Sequence, residues 1–393
     1  MRFNLWEDCN RVPLTELLSF IVDNRGKTVP TAPSGHKLIA TNCVTNNTLF
    51  PVYDKIRYLS EETYQTWFRA HPIPGDILFV NKGTPGRVCL VPDPVDFCIA
   101  QDMIALRADE SKIYPKYLFT VLRSREIQQQ IYNTNVGDVI PHFKKQFLDQ
   151  LLIPIPERSI QESIGDLYYV LSLKAERNKK INDNLQQQAA ALFANFYDQA
   201  ETEVGFTEMI QILGGGTPKT GESSYWNGDI PFFTPKDVGF PYTLTTEKTI
   251  TEEGLAHCNS RLYPINTVFV TARGTVGKVG LPGVPMAMNQ SCYALVGKDT
   301  HQLLVYFYTL KAVDRLKHKA SGAVFDAITT RDFEAENIMK LSDDDTKAFL
   351  DVAEPIYQAV LNNSIENLRL SELRDSLLPK LMNGEIDVTD IRL

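Results

Sequence analysis

One pattern occurs twice in this chain, about half its length apart, and a duplicated pattern requires a duplicated fold. The first copy reads PGDILFVNKGTPGRV over 74–88 and the second PINTVFVTARGTVGKV over 264–279. Each passes from an apolar Phe-Val ending into Lys82-Gly83-Thr84-Pro85-Gly86-Arg87-Val88 or Arg273-Gly274-Thr275-Val276-Gly277-Lys278-Val279. Further matches keep the same order. Leu38-Ile39-Ala40-Thr41-Asn42 parallels Phe232-Phe233-Thr234-Pro235-Lys236, and Gln101 with Ala105-Leu106 parallels Gln290 with Ala294-Leu295. Gly137 and Phe147 parallel Gly322 and Phe333, the offset drifting only from 194 to 185 along the whole series. One such match is chance; an ordered series is a repeat.

A helical stretch follows each copy. From Ile160, apolar residues recur at Ile164, Leu167, Leu171, Ile181, Leu185 and Leu192, with Lys174, Asn178 and Gln188 at the intervening seam positions, a heptad alternation. From Phe349 the same alternation runs through Val352, Ile356, Ala359, Leu370, Leu373 and Leu377, again with a polar centre at Asn363 and Glu366. Aligning Leu192-Phe193 on Leu377-Leu378 sets Asn178 on Asn363 and Asn182 on Asn367. Buried asparagines on a seam lower stability but fix register and orientation, so the two helices are expected to pair antiparallel and hold the globular units apart. Forty residues of helix span about 60 Å, one to two turns of duplex DNA at about 34–36 Å each. Pro355 predicts a kink or a fresh helix start.

The expected organisation is therefore 1–158 globular, 159–200 helical, 201–342 globular and 343–393 helical. Within each globular part the pattern predicts a mixed α/β (α+β) fold, with strands over 76–80 and 266–271 and helices over 115–132 and 302–319. Asn24-Arg25-Gly26-Lys27-Thr28 and Gly214-Gly215-Gly216-Thr217-Pro218-Lys219 read as loops.

Composition excludes more than it selects. The formal charge of −8 argues against a DNA binder, yet its distribution softens that: the four segments carry +1, −1, −2 and −6, so the acidity sits at the C-terminal end. No run of 18 apolar residues predicts a membrane span, and MRFNLWEDCN lacks the form of a secretory signal. Six cysteines without a C-x-x-C pair fit a reduced cytoplasmic protein. His257-Cys258 has no metal partner at ligand spacing, and no metal site is expected. Walker A, HExxH, a nucleophile elbow, a strand-borne GxGxxG and the Asn/Asp-Pro-Pro-aromatic signature of amino-methyltransferases are all missing, so catalysis by this chain is not expected.

The duplicated turn is the strongest candidate site. Glycines let backbone amides approach a phosphate, and the flanking cations can pair with phosphate or reach guanine. A lone copy would read as a tight turn with solvated charge; in duplicate, Lys82, Gly83, Thr84, Gly86, Arg87, Arg273, Gly274, Thr275, Gly277 and Lys278 read as DNA contacts. Thr41, Asn42, Gln101, Thr234, Lys236 and Gln290 join them by position in the repeat. Lys27, Thr28, Thr217 and Lys219 lie in loops that either face DNA or are ordinary turns, and Pro218 before Lys219 rules out a nucleotide phosphate loop. Lys144, Lys145 and Arg331 either grip phosphate or form a solvated face.

Taken together, GGGTPKTGESSYWNGDIPFFTPKDVG at 214–239, RGTVGKVG at 273–280 and ELRDSLLPKLMNGEI at 372–386 resemble the specificity subunits of type I restriction-modification systems. NRGKTVP at 24–30, KGTPGRV at 82–88 and AAALFANFYD at 189–198 extend the resemblance over nearly the whole chain, with Lys82 in place of Arg273 and Pro85 inside the turn as departures. The resemblance implies two target-recognition domains in pseudo-two-fold arrangement, separated by two antiparallel coiled-coil helices and reading a split site on double-stranded DNA. It implies two methyltransferase subunits docked on the helices, and restriction subunits besides. S-adenosylmethionine, magnesium and ATP are then expected on those partners and no cofactor in this chain. A subunit of a methyltransferase-only or other defence complex, and a non-catalytic structural adaptor, are the alternatives.

Overall fold

The continuous apolar run Ile77-Leu78-Phe79-Val80 is buried on both faces, and that places it between two layers. Ile77 and Phe79 join the core beneath the helices, while Leu78 and Val80 join a second core with Ile39, Phe97 and Ile99. The computed structural model describes residues 4–24, 26–134, 141–239, 241–319 and 327–386. Arg25, Gly137 and Gly322 of the sequence argument lie outside the described residues.

The chain forms two compact units, Met1–Arg177 with Asn367–Leu393, and Asn178–Glu366. In the first, β1 (Leu18–Val22), β4 (Ile77–Val80), β5 (Val88–Leu90) and β7 (Met103–Ala108) form a sheet of order β1-β7-β4-β5; β2 (His36–Ile39), β3 (Arg57–Leu59) and β6 (Phe97–Ile99) form a second, β3-β2-β6. Helices α1 (Pro115–Leu122) and α2 (Arg125–Thr134) pack on the larger sheet, and α3 (Arg158–Gln199) follows.

The second unit repeats this plan. Strands β8 (Ile210–Gly214), β10 (Tyr242–Thr243), β12 (Val268–Thr271), β13 (Val279–Pro282) and β15 (Cys292–Gly297) form a sheet of order β8-β15-β12-β13-β10. The small sheet is β11-β9-β14, from β9 (Trp226–Phe233), β11 (Lys248–Ile250) and β14 (Ala287–Met288). In both units the small sheet's central strand pairs antiparallel on one side and parallel on the other. Helices α4 (Gln302–Lys319), α5 (Thr330–Glu334) and α6 (Asp343–Met382) follow, and each unit has besides a two-stranded sheet, Asn10–Pro13 with Leu152–Ile155 and Thr202–Gly205 with Asn337–Lys340. Among the described residues no helix is long and apolar enough to cross a membrane.

Three expectations need correction. The helix expected over 115–132 is two helices, because Ser124 turns its hydroxyl to the Ile127 amide at 3.3 Å and starts α2 afresh. Of the two outcomes expected at Pro355, a kink or a fresh helix start, the second does not occur: α6 runs through it, and the carbonyl that the proline leaves without its helical donor belongs to Asp351, an exposed residue. The buried stripe of α3 in the second unit starts on the heptad reading at Asn178, but Asn182, Gln186, Ala189 and Phe193 lie one residue on from Ile181, Leu185, Gln188 and Leu192. Tyr197 continues the stripe, and Ile181 is 48% exposed. The reason is that α3 must also meet its own unit's helices: Phe193 stacks on Phe307 of α4 at 4.9 Å and meets Phe349 of α6 at 5.5 Å.

The polar register is nevertheless built as expected. Within the second unit Asn182 accepts from the Asn363 Nδ2 at 2.8 Å and donates to the Val360 carbonyl at 3.2 Å, while Asn178 donates to Glu366 Oε2 at 2.6 Å. Partner numbers fall as α3 numbers rise, so the helices run antiparallel there.

Both copies of the glycine turn have the same backbone. Gly83 and Gly86 have φ of 87° and 86°, Gly274 and Gly277 of 83° and 74°, so Pro85 does not alter the turn. Gly86 and Gly277 are buried, and a Cβ on Gly277 would meet Lys317 Cε at 2.6 Å and Val313 Cγ1 at 3.2 Å. These two are glycines because a helix packs on them, a different reason from approach to phosphate. Gly274→Ala has only Pro235 Cβ, at 3.8 Å, to meet. Both alanines bear the left-handed penalty of about 1 kcal/mol. Gly277→Ala is expected to cost about 1–3 kcal/mol more by overpacking, read from urea midpoints; equal costs would show that α4 yields freely.

Candidate nucleic-acid interface

The two units can be superposed residue by residue from their hydrogen bonds. Ala100 N donates to the Ile39 carbonyl at 3.0 Å, and Asn289 N to the Phe233 carbonyl at 2.9 Å. Asn81 N bonds Asp102 O at 2.9 Å, and Ala272 N bonds Ser291 O at 2.8 Å. After each turn Val80 N bonds Arg87 O and Thr271 N bonds Lys278 O, both at 2.9 Å. A returning segment then pairs with the turn, through His142 opposite Lys82 and Ala327 opposite Arg273.

In the second unit this geometry makes a groove. Thr234, Lys236, Arg273, Gly274, Thr275 and Lys278, all predicted, line it together with Pro235, Glu247, Lys248, Asn289 and Ser291. The Asp237 carboxylate stiffens one wall, accepting from Thr234 N at 2.8 Å, Thr234 Oγ1 at 2.6 Å and Glu247 N at 2.8 Å. Thr275 Oγ1 donates to the Pro235 carbonyl at 3.2 Å, tying the turn to that wall.

Strand register adds a pair of cations that the motifs missed. Arg57 faces Leu38 across β2–β3, and Lys248 faces Phe232 across β9–β11, so the two are equivalent. The signal was present as Arg57-Tyr58-Leu59-Ser60-Glu61-Glu62 against Lys248-Thr249-Ile250-Thr251-Glu252-Glu253. In each, the hydroxyl caps a short helix, Ser60 accepting from Thr63 N at 3.2 Å and Thr251 from Gly254 N at 3.0 Å. Each unit thus presents three equivalent exposed cations, Arg57, Lys82 and Arg87 in the first and Lys248, Arg273 and Lys278 in the second. Among the described residues none of the six has a salt-bridge partner, whereas Lys37 and Lys145 are paired with Asp96 and Asp23.

Other predicted residues sit elsewhere. Thr41 opens a tight turn and is half-buried; Asn42 beside it is exposed but donates to the Asp54 carbonyl at 2.6 Å, holding its own loop. Gly83 and Thr84 are at the first unit's turn, Gly83 exposed and Thr84 half-buried. Gln101 keeps a buried Oε1 without a partner, while its counterpart Gln290 is exposed and hydrogen-bonded to Thr217. Lys27, Thr28 and Lys219 are exposed in their loops, the Lys219 carbonyl accepting from Trp226 Nε1 at 3.2 Å. Lys144 and Arg331 are exposed just past the returning segments, and Lys145 is engaged with Asp23. The thiols of Cys98 and Cys292, each pushed up to about 12 by burial, stay protonated as core groups.

The arrangement offers two equivalent sets of cations without an ionic partner, two on each glycine turn and one on a neighbouring strand, where Lys248 lies over the Trp226 ring. It is a means of holding a phosphate backbone twice. Comparison with known proteins points the same way. The chain is 24% identical over 398 residues to the type I restriction enzyme HindI specificity subunit of Haemophilus influenzae, covering 79% of this chain and 86% of that one. It is 32% identical over 124 residues to the MjaIX specificity subunit of Methanocaldococcus jannaschii, covering 30% and 29% of the two chains. The fold matches the type I restriction-modification S subunit of M. genitalium with a TM-score of 0.62 at 14% identity, over 97% of this chain and 98% of that one. The family described as type I restriction modification DNA specificity domain matches residues 19–187 and again 202–340, and the chain belongs to that family.

Proposed function

We propose that this chain is the DNA-specificity subunit of a type I restriction-modification complex, each globular part reading one half of a split duplex site. The observation that carries this is the duplicated triad of exposed cations, Arg57, Lys82 and Arg87 against Lys248, Arg273 and Lys278, with no ion pair among the described residues. Cations left unpaired on a folded surface gain most from a polyanion, because contact with phosphate releases counterions. Base edges are then read in the major groove by neighbouring side chains. The chain itself does no chemistry: adenine methylation and cleavage reside in two methyltransferase subunits and in restriction subunits. Those partners carry S-adenosylmethionine, magnesium and ATP, dock along α3 and α6, and work with this chain in the cytoplasm.

The test is co-purification with the methyltransferase encoded beside this gene, followed by mapping of methylated adenines. A split motif that disappears when the gene is deleted is the expected result. A stable complex with no sequence-dependent methylation would make the chain an adaptor, and absence of any complex would remove the reading altogether.

A further inference from the structure

The duplicated turn and its sheets separate the residues of the second unit's groove by what the two copies share. Both half-sites have the same phosphate backbone, so residues that grip it can be alike in the two units; residues that read different bases must differ. The cations are alike at all three positions. Six groove positions are not: Thr234, Pro235 and Lys236 correspond to Ala40, Thr41 and Asn42, Asn289 and Ser291 to Ala100 and Asp102, and Glu247 to Ile56, one residue before the Arg57/Lys248 pair. Of these six second-unit residues Glu247 alone is a carboxylate.

We propose that Glu247 is a base-reading residue that selects cytosine in the second half-site, an assignment that rests on the DNA-facing reading of this groove. An ionised carboxylate only accepts hydrogen bonds, so among cations meant for phosphate it weakens binding unless it meets a donor. Glu247 is exposed, and among the described residues it has no ion-pair partner, although Lys248 is its neighbour. It is therefore not spent on neutralising the groove. Its backbone is held in place, since its amide and both Thr234 donors share the Asp237 carboxylate. In the major groove cytosine presents the N4 amine alone, whereas guanine and thymine present acceptors and adenine sets N7 beside its amine. Of the four bases, cytosine is the one whose edge suits a lone acceptor. Ile56, apolar and half-buried at the matching place, gives the first unit no such preference.

The experiment uses the full chain in complex with its methyltransferase, with methylated motifs mapped for the wild type, Glu247→Ala, Glu247→Gln and Lys248→Ala. The wild-type motif is expected to hold a C·G pair at one position of one half-site. Glu247→Ala should relax that position alone, cutting discrimination there by about 5- to 150-fold. Glu247→Gln should move its preference towards adenine, whose amine and N7 suit an amide. Lys248→Ala should weaken all sites alike and reduce the slope of log affinity against log salt by about 0.9. An unchanged second half-site in both Glu247 variants would overturn the assignment while leaving the groove in place. A Lys248→Ala complex with unaltered affinity and salt slope would overturn the DNA-facing reading itself, and this assignment with it.

Discussion

Replacing Arg273 and Lys278 together by alanine is expected to cost the complex at least about tenfold in affinity for its full target and to blunt discrimination at one half-site only. Both side chains are exposed on the rigid turn after β12 and line the same groove as Lys236 and Lys248. If both hold phosphate, the slope of log affinity against log salt falls by about 1.8; if either reaches a base, about 1–3 kcal/mol of discrimination goes with it. The first unit keeps Arg57, Lys82 and Arg87 on its own turn and strand, so changes in the other half-site should still be felt in full. Binding measured against targets altered in one half-site at a time decides the matter. Equal loss of discrimination at both halves would contradict reading by separate units.

The largest effect on stability is expected at Asp76. This carboxylate is 2% exposed and accepts from Arg107 Nε and Nη2, both at 2.9 Å, and from Ile73 N at 2.9 Å. Removing it strands the guanidinium, and breaking a buried pair costs about 3–5 kcal/mol. The Arg107 side chain is 30% exposed, so solvent should recover part of that and the loss should lie near the lower end. The second unit holds the same place without charge. Thr267 stands at the position of Asp76 and bonds the Pro264 carbonyl at 2.8 Å, while Val296 stands at the position of Arg107. The double replacement Asp76→Thr with Arg107→Val should therefore restore most of the stability, since well-packed neutral residues commonly match a buried ion pair. Urea unfolding, with hydrogen exchange to localise the change to the first unit, reads both variants. A double variant as unstable as Asp76→Ala would show that the two cores do not tolerate each other's solution.

Local pattern carried much of this protein in its sequence. The repeat, the two glycine turns, the strands around Ile77–Val80 and Val268–Thr271 and the long helices were all legible, because each is signalled by residues that are neighbours in the chain or one helical turn apart. So was about half of the groove: Thr234, Lys236, Arg273, Gly274, Thr275 and Lys278 lie within the two motifs that form it. Lys248 and Glu247 were not found, since what brings them there is the pairing of β11 with β9. Beyond Asn178 the heptad reading of α3 slipped by one residue for a related reason. A seam assumes one partner, and Phe193 has two, Phe307 and Phe349.

The sequence by itself determined that one fold is used twice, which residues end each central strand in a glycine turn, and that Asn178, Asn182 and Asn363 share a polar register. Only the tertiary structure decided why Gly86 and Gly277 are glycines, which cations remain without an ionic partner, and which residues occupy the same place beside the two turns. The physical reason is range. Backbone conformation and amphipathic period are set by near neighbours, whereas close packing, desolvation and the pairing of charge depend on groups that folding brings together from far along the chain.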